Sequence, residues 1–329
     1  MIRPDKKIKR IIQSILANDL LAVRDYYALS EDARRKMVTE LGPSGLRRLT
    51  RLIKKCKKQV FASENKRLLK IAQSDIATPV YFIDEILIEE NMKVLRYVKD
   101  RTGCKILHAL KAYASFATFP LMREYLDGVC ASGLHEARLG FEEFKKEVHT
   151  FAAAYRDKEM DQIIRYSDVI IFNSFYQLQK YGLRAKKKGI EIGLRVNPGH
   201  SEVLTEMYNP CAPCSRLGII NHTFEKYFSG YRNIVEGLHF HAMCEQDSDI
   251  LERILNSFEK LYGQHIKNLK WVNFGGGHHI TRDDYDLERL IKIINGFKQK
   301  YGVQVYLEPG EASVLNAGFL ASSILDIVT

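Results

Sequence analysis

From residue 76 onward, short apolar runs rich in β-branched and aromatic residues alternate with longer stretches of helical periodicity. After a lead-in, TPVYFID at 78–84, the runs KILHA at 105, DGVCA at 127, VHTFA at 148 and DVIIF at 168 read as strands. EIGLRV at 191, IVEGLHF at 234, KWVNF at 270 and VQVYLE at 303 continue the series. Near-continuous apolar runs are what strands buried on both faces require, and their alternation with helices predicts parallel βα units. The stretches between them, such as DLERLIKIINGFKQKYG, have helix length and spacing. Eight such units predict an α/β fold, a closed (β/α)8 barrel over 105–310. Residues 76–104 are then a lead-in strand and helix, and 311–329 the start of a β domain that this chain leaves incomplete.

Residues 1–75 have a different pattern. IKRIIQSILANDLLAVRDYY carries apolar residues at helical spacing, Ser30 followed by Glu31 and Asp32 reads as a helix start, and GPSG at 42–45 as a break. The stretch RRLTRLIKKCKKQ at 47–59 reads as a basic helix. Either it meets an anionic surface such as nucleic acid or lipid, or it is the solvated face of a small helical appendage; the absence of interleaved aromatics favours the second.

Composition narrows this picture. With 329 residues, 46% of them apolar and 27% charged, the chain can bury a full core. The net charge of +10 is local: residues 1–75 hold 19 basic and 8 acidic residues, the remainder 31 and 32. The basic start runs into IIQSILANDL, too polar for a signal peptide, and no segment has the apolar length to span a bilayer, so a cytoplasmic location is expected. The six cysteines, at 56, 104, 130, 211, 214 and 244, lack the spacing of a disulfide scaffold. Cys211 and Cys214 have CxxC spacing with no second ligand pair, so no metal is expected.

Barrels of this kind place reactive groups just past the C-terminal ends of their strands, and polar residues fall there. Lys111, Ser132, Tyr155, Asn173 with Ser174, and Asn197 follow strands one to five of the eight. His241, the run Gly275, Gly276, Gly277, and Glu308 follow strands six to eight. Lys111 lies among apolar and small residues in HALKAYASF, where burial would disfavour its ammonium and leave an amine able to form a Schiff base. A strand-end lysine that simply reaches solvent is the plainer reading. Three glycines let backbone N–H groups approach a phosphate closely, although a tight turn would use them too. His239 and His241, two residues apart on one strand, face the same side; His241, at the strand end, can stack on a flat cofactor ring. His278 and His279 read as loop or substrate-facing residues. Glu308, before the turn-forming Pro309 and Gly310, can keep a pyridine nitrogen protonated. A lysine, a stacking ring, a phosphate cradle and a pyridinium partner are together the parts that hold pyridoxal 5'-phosphate.

The motifs ALKA at 109–112, CASGLHEARLG at 130–140, IIFNS at 170–174 and LRVNPGHSEV at 194–203 resemble the carboxynorspermidine/carboxyspermidine decarboxylase family. So do YNPCAPCSRLGI at 208–219, GLHFHAMCEQ at 237–246, KWVNFGGGHHITRDDYD at 270–286 and YLEPGEA at 306–312. The similarity covers about residues 78–329 and is most specific in HFHxxCEQ and VNFGGGHHIT. It implies an alanine racemase-like fold, a barrel paired with a β domain, acting in homodimers with shared sites. It further implies a pyridoxal phosphate-dependent carboxy-lyase of polyamine and spermidine biosynthesis. In that case Lys111 carries the cofactor, His241 stacks on it, Gly275 to Gly277 with Gly310 receive its phosphate, and Glu308 meets its ring nitrogen. The substrate amine would displace Lys111, the carboxylate would leave as carbon dioxide, and a proton would return to Cα. Related amino-acid decarboxylases commonly have arginine where this chain has Glu311, and a carboxylate suits protonated amines, so Glu311 and Glu245 are expected at the remote end of the substrate.

The family pattern is expected to run several dozen residues past 329, supplying a cysteine to the neighbouring subunit's site, a role that Cys244 does not take over. Residues 1–75 have no counterpart in it. Beside the decarboxylase reading stand a barrel that binds the cofactor without turnover or an inactive truncated homologue, and a protein whose basic N-terminus is an interaction module. A racemase is a weaker fourth.

Overall fold

The computed structural model describes residues 4–328. The first three positions of the basic extension and Thr329 lie outside the described residues, as do the side chains of 4, 5, 64, 65 and 72. The chain forms two compact units: Met1–Arg101 with Thr281–Asp283 and Ser313–Thr329, and Thr102–Ile280 with Asp284–Ala312.

The first unit opens with three helices, α1 (Pro4–Leu16), α2 (Leu21–Tyr27) and α3 (Glu31–Ala72). Ile8, Ile11 and Ile15 bury one face of α1. Ser30 caps α3 by accepting the Ala33 N–H at 3.4 Å. Gly42, at φ 66°, interrupts α3 where GPSG predicts a break, since only glycine takes that conformation without strain and Pro43 follows. In the basic stretch Leu49, Leu52 and Ile53 are buried, while Arg51, Lys55 and Lys58 face solvent. Lys57 departs from the solvated-face reading: it is buried, donates to the Thr281 carbonyl and pairs with Asp283 at 3.8 Å. Strand β1 (Val80–Ile83) and helix α4 (Glu85–Thr102) follow. Asp100 on α4 accepts from Arg34 Nε at 2.7 Å and from the Tyr26 hydroxyl at 2.8 Å, which anchors α2 and α3 to α4 through a buried ion pair.

The second unit is a closed barrel of eight parallel strands taken in chain order. They are β2 (Lys105–Ala109), β3 (Gly128–Ala131), β4 (Glu147–Phe151), β5 (Val169–Phe172), β6 (Glu191–Arg195), β7 (Gly237–His239), β8 (Trp271–Asn273) and β9 (Gln304–Leu307). Each coincides with one of the eight apolar runs to within a residue, and β9 closes on β2 with Tyr306 opposite Lys105. The helices between them are α5 (Phe119–Met122), α6 (Leu134–Leu139), α7 (Met160–Tyr166), α8 (Phe175–Lys187), α9 (Asn221–Tyr227), α10 (Ser248–Ile266) and α11 (Leu287–Tyr301). Asp286 caps α11 at one end, and Gly302 at φ 71° closes the other by donating to the Lys298 carbonyl at 2.8 Å.

The single tryptophan fills the barrel. Trp271 packs with Leu107, Val169, Ile171 and Tyr306, and β6 and β7 pass its indole with glycines. A Cβ at Gly237 would lie 2.1 Å from the ring, and one at Gly193 2.5 Å. Toward the N-terminal ends of the strands, the indole Nε1 donates to Glu191 at 2.9 Å and the Tyr306 hydroxyl to Glu147 at 2.8 Å, so the bulky layer is hydrogen-bonded from below.

After β9 come a short helix, α12 (Glu311–Val314), and strand β10 (Gly318–Ala321), which pairs antiparallel with β1 of the first unit, Val80 opposite Ala321. Among the described residues no helix is long and apolar enough to cross a membrane.

Replacing Gly237 by Ala is expected to cost about 1–3 kcal/mol by forcing the packed indole aside. Gly296→Ala, on the exposed face of α11 with nothing near its Cβ position, should gain about 0.5–1 kcal/mol. Urea unfolding of the two variants checks this, and equal effects would contradict the packing described.

Candidate active site

Side chains two apart on a strand point the same way, so the inward row that carries Trp271 on β8 ends in Asn273, and the row carrying Tyr306 on β9 ends just beyond it in Glu308. The corresponding ends on β6 and β7 are Arg195 and His239. All four are buried, and three of them, Asn273, His239 and Glu308, are joined directly. Glu308 accepts from the Asn273 amide at 2.7 Å through Oε1, and its Oε2 lies 3.3 Å from His239 Nε2. Arg195 lies with its guanidinium 4.5 Å from the centre of the Phe151 ring and donates to the His241 carbonyl at 3.2 Å.

Electrostatics in this ring follow from burial set against partners. Desolvation pushes the Glu308 carboxyl up, but His239 beside it, first through charge and then through its hydrogen bond, outweighs this and leaves the group well below the usual carboxylate range. Burial lowers the Arg195 pKa to about 10. Burial, then the charges of Lys111 and Arg195, hold His241 well below its ordinary value, so its ring is neutral. Its Nδ1 accepts the Gly276 N–H at 3.0 Å, which fixes the ring and places any ring proton on Nε2.

Lys111 lies in the turn after β2 and is exposed. The burial expected from its apolar sequence neighbours is therefore not found: Ala109 and Leu110 pack inward and leave the lysine on the open side of the turn. Its charge still acts on His239, His241 and Cys130, so it belongs to the same mouth.

The glycine run divides by the use of its amides. Gly275 donates to Asn273 Oδ1 at 2.8 Å and Gly276 to His241, whereas the N–H groups of Gly277 and Gly310 have no acceptor among the described residues. No side chain is tolerated in the run, because Cβ atoms at 275, 276 and 277 would lie 2.1–2.4 Å from neighbouring carbonyl oxygens. Gly310 packs against the Lys111 turn, where a Cβ would lie 2.6 Å from that of Ala112. Glu311 is exposed and its Oε1 is 3.6 Å from His279 Nε2; Glu245 is exposed and held at φ 53°, a backbone region unusual outside glycine.

The remaining strand-end residues serve the loops. The Ser132 N–H donates to Glu136, the Tyr155 hydroxyl bonds to main-chain atoms of its own and the next strand, and Ser174 caps α8. Asn173 donates to the Arg216 carbonyl and accepts from the Gly218 N–H, and Asn197 accepts from the Gly199 N–H. Arg195 and Asn273 were not singled out from the sequence. The available signal was a polar residue in register with His239 and Glu308 at the end of an otherwise apolar strand.

A parallel (β/α)8 barrel with a polar ring at its C-terminal mouth is the architecture of the fold-type III decarboxylases. One solved member, the carboxynorspermidine decarboxylase of Campylobacter jejuni complexed with norspermidine, superposes with a TM-score of 0.70 at 41% identity, covering 77% of this chain and 65% of that one. No family model matches the chain. Two curated relatives are carboxynorspermidine/carboxyspermidine decarboxylases. That of Campylobacter jejuni is 44% identical over 253 residues, and that of Herminiimonas arsenicoxydans is 37% identical over 253 residues. Each match covers 77% of this chain, which spans 65% and 68% of the two relatives, about two thirds of their length. The chain belongs to the carboxynorspermidine/carboxyspermidine decarboxylase family.

Burial lowers the pKa values of His108 and His278 to about 4. Unfolded histidine titrates near 6.5, so the unfolded chain takes up these protons first as pH falls. Stability is therefore full above about 6.5 and declines toward 4, by about 2 kcal/mol for each histidine at pH 5. Urea unfolding of wild type and His278→Asn at pH 7 and pH 5 should show a smaller pH 5 loss in the variant by that amount; equal losses would contradict the assignment.

Proposed function

We propose that this chain, with pyridoxal 5'-phosphate, decarboxylates carboxynorspermidine or carboxyspermidine to norspermidine or spermidine. The observation that carries the reading is the buried Glu308 carboxyl, hydrogen-bonded by His239 and Asn273 in a mouth that also contains Lys111 and the His241 ring. These residues fit the cofactor. An anion suits a protonated ring nitrogen, an uncharged imidazole can lie against the ring without repelling it, and the exposed Lys111 amine is accessible to the aldehyde. The unpartnered N–H groups of Gly277 and Gly310 are the donors that suit the phosphate, while Gly275 and Gly276 keep the run in shape.

Pyridoxal phosphate, when bound, supplies a sink for the electron pair left as the α-carboxylate departs as carbon dioxide. The chain's own residues then have separate tasks. Glu308 would face the ring nitrogen and favour its protonated form, His241 would lie against the ring and orient it, and the Lys111 amine would hold the cofactor through its aldehyde. Glu311 and Glu245 receive the protonated amines at the far end of the substrate. Norspermidine, the ligand of the Campylobacter structure, is the product of the first of these reactions. Homodimer formation is part of this reading, supported by the family resemblance.

Carbon dioxide release from the two carboxylated polyamines tests it. Wild type should turn over at least one, and Lys111→Ala neither. Glu308→Gln should lower kcat by about 100-fold or more, through loss of the charge facing the ring nitrogen. Glu311→Gln should raise KM by about 10–100-fold with a smaller effect on kcat. A protein that binds the cofactor but releases no carbon dioxide from either substrate would contradict the proposal and leave a binding barrel.

A further inference from the structure

Asn273 is completely buried at the end of β8, and its two amide atoms do different work. Nδ2 donates to Glu308 Oε1 at 2.7 Å, and Oδ1 accepts the Gly275 N–H at 2.8 Å. Which atom of a side-chain amide is oxygen is normally assigned from its surroundings. Here both neighbours dictate the same answer, because an ionised carboxylate needs a donor and a backbone N–H needs an acceptor.

We infer that Asn273 is a positioning residue that sets the spacing between the Glu308 carboxylate and the glycine run. The inference rests on the cofactor reading above, in which these are the two non-covalent anchor points of one rigid group. Ring nitrogen and phosphate are a fixed span apart, so their protein partners must be held at a matching span. No strand ladder does this directly, since Glu308 and Gly275 both lie past the ends of their strands. The main chain joins them once, Glu308 N–H to Gly275 carbonyl at 2.8 Å, and Asn273 adds the side-chain bridge. The Asn273 carbonyl in turn accepts the Phe240 N–H at 3.0 Å, next to His241.

The chemistry of the position is narrow. Alanine or leucine would strand the Gly275 N–H and one carboxylate oxygen in a buried site. Serine is too short to reach both, and aspartate can accept from Gly275 but cannot donate to Glu308 when ionised. Asn273→Asp therefore separates the two bonds while nearly preserving shape.

The test compares the wild-type chain, Asn273→Ala and Asn273→Asp by spectrophotometric titration with pyridoxal 5'-phosphate and with pyridoxal, which lacks the phosphate, and by amide hydrogen exchange without cofactor. Asn273→Ala should weaken pyridoxal phosphate by about 30-fold or more and reduce the preference for it over pyridoxal, with faster exchange at 275–277. Asn273→Asp should weaken both ligands by about 10-fold or more, yet keep the wild-type preference and slow exchange at Gly275. If Asn273→Ala loses both ligands equally, or if either variant binds both as wild type does, the residue supports the fold only and the inference is overturned. Should wild type bind no pyridoxal phosphate, the cofactor reading fails by itself; unchanged exchange at Gly275 in Asn273→Ala would then still overturn the bridge.

Discussion

Closing a barrel over a buried carboxylate is the constraint around which this site is organised. Taking the Glu308 charge out of water costs several kcal/mol, and only well-placed donors and opposite charge offset it. The final inward positions of β7 and β8 supply them, His239 to one oxygen and Asn273 to the other. Each partner is then committed in turn: Asn273 to the glycine run, and through Gly276 that run holds the His241 ring. One layer deeper the same rows carry Trp271 and Tyr306, and the glycines at 193 and 237 exist to admit the indole. The apolar plug and the polar ring are thus consecutive layers of the same alternation, one giving the barrel its packing and the other its chemistry.

Much of this is legible in the amino-acid sequence. Strands of a parallel barrel are buried on both faces, so VIIF at 169–172 or KILHA at 105–109 stands out as a continuous apolar run between helical stretches. The spacing of His239 and His241 showed that they share a face, and Glu308 announced itself by sitting before a turn. Asn273 and Arg195 were obscured for the opposite reason: each is a single polar residue inside an apolar run, and its importance depends on which neighbours closure brings opposite. The exposure of Lys111 was hidden because apolar neighbours in sequence need not be neighbours in space. Likewise the polar residues after the middle strands looked equivalent to the site residues, yet Asn173 and Ser174 are consumed in loop and helix-cap bonds. The pairing of β1 with β10 joins segments far apart in the chain, on either side of the whole barrel, and local patterning carries no record of it.

In the helical extension Arg51, Lys55 and Lys58 face solvent, as the solvated-face reading expects, while some of the basic residues are internal. Its excess of lysine and arginine suggested an anionic partner or a solvated face. The helix carries an apolar stripe on its buried side, and Lys57 is buried and hydrogen-bonded to the backbone at 281, the chain's continuation of the glycine and histidine run. Arg34 is likewise internal, paired with Asp100. Both cations make contacts within their own unit, so the extension is fastened by the same logic of paired buried charge that shapes the barrel mouth.

The proposed chemistry depends first on Lys111 being the residue that takes the cofactor. Incubating the full chain with pyridoxal 5'-phosphate, reducing with borohydride and mapping the modified peptide by mass spectrometry tests this directly. A stoichiometric pyridoxyl group on the peptide containing Lys111, absent from Lys111→Ala, is the expected result. No stable label, or a label spread over the lysines of the basic extension and unchanged in Lys111→Ala, would contradict it.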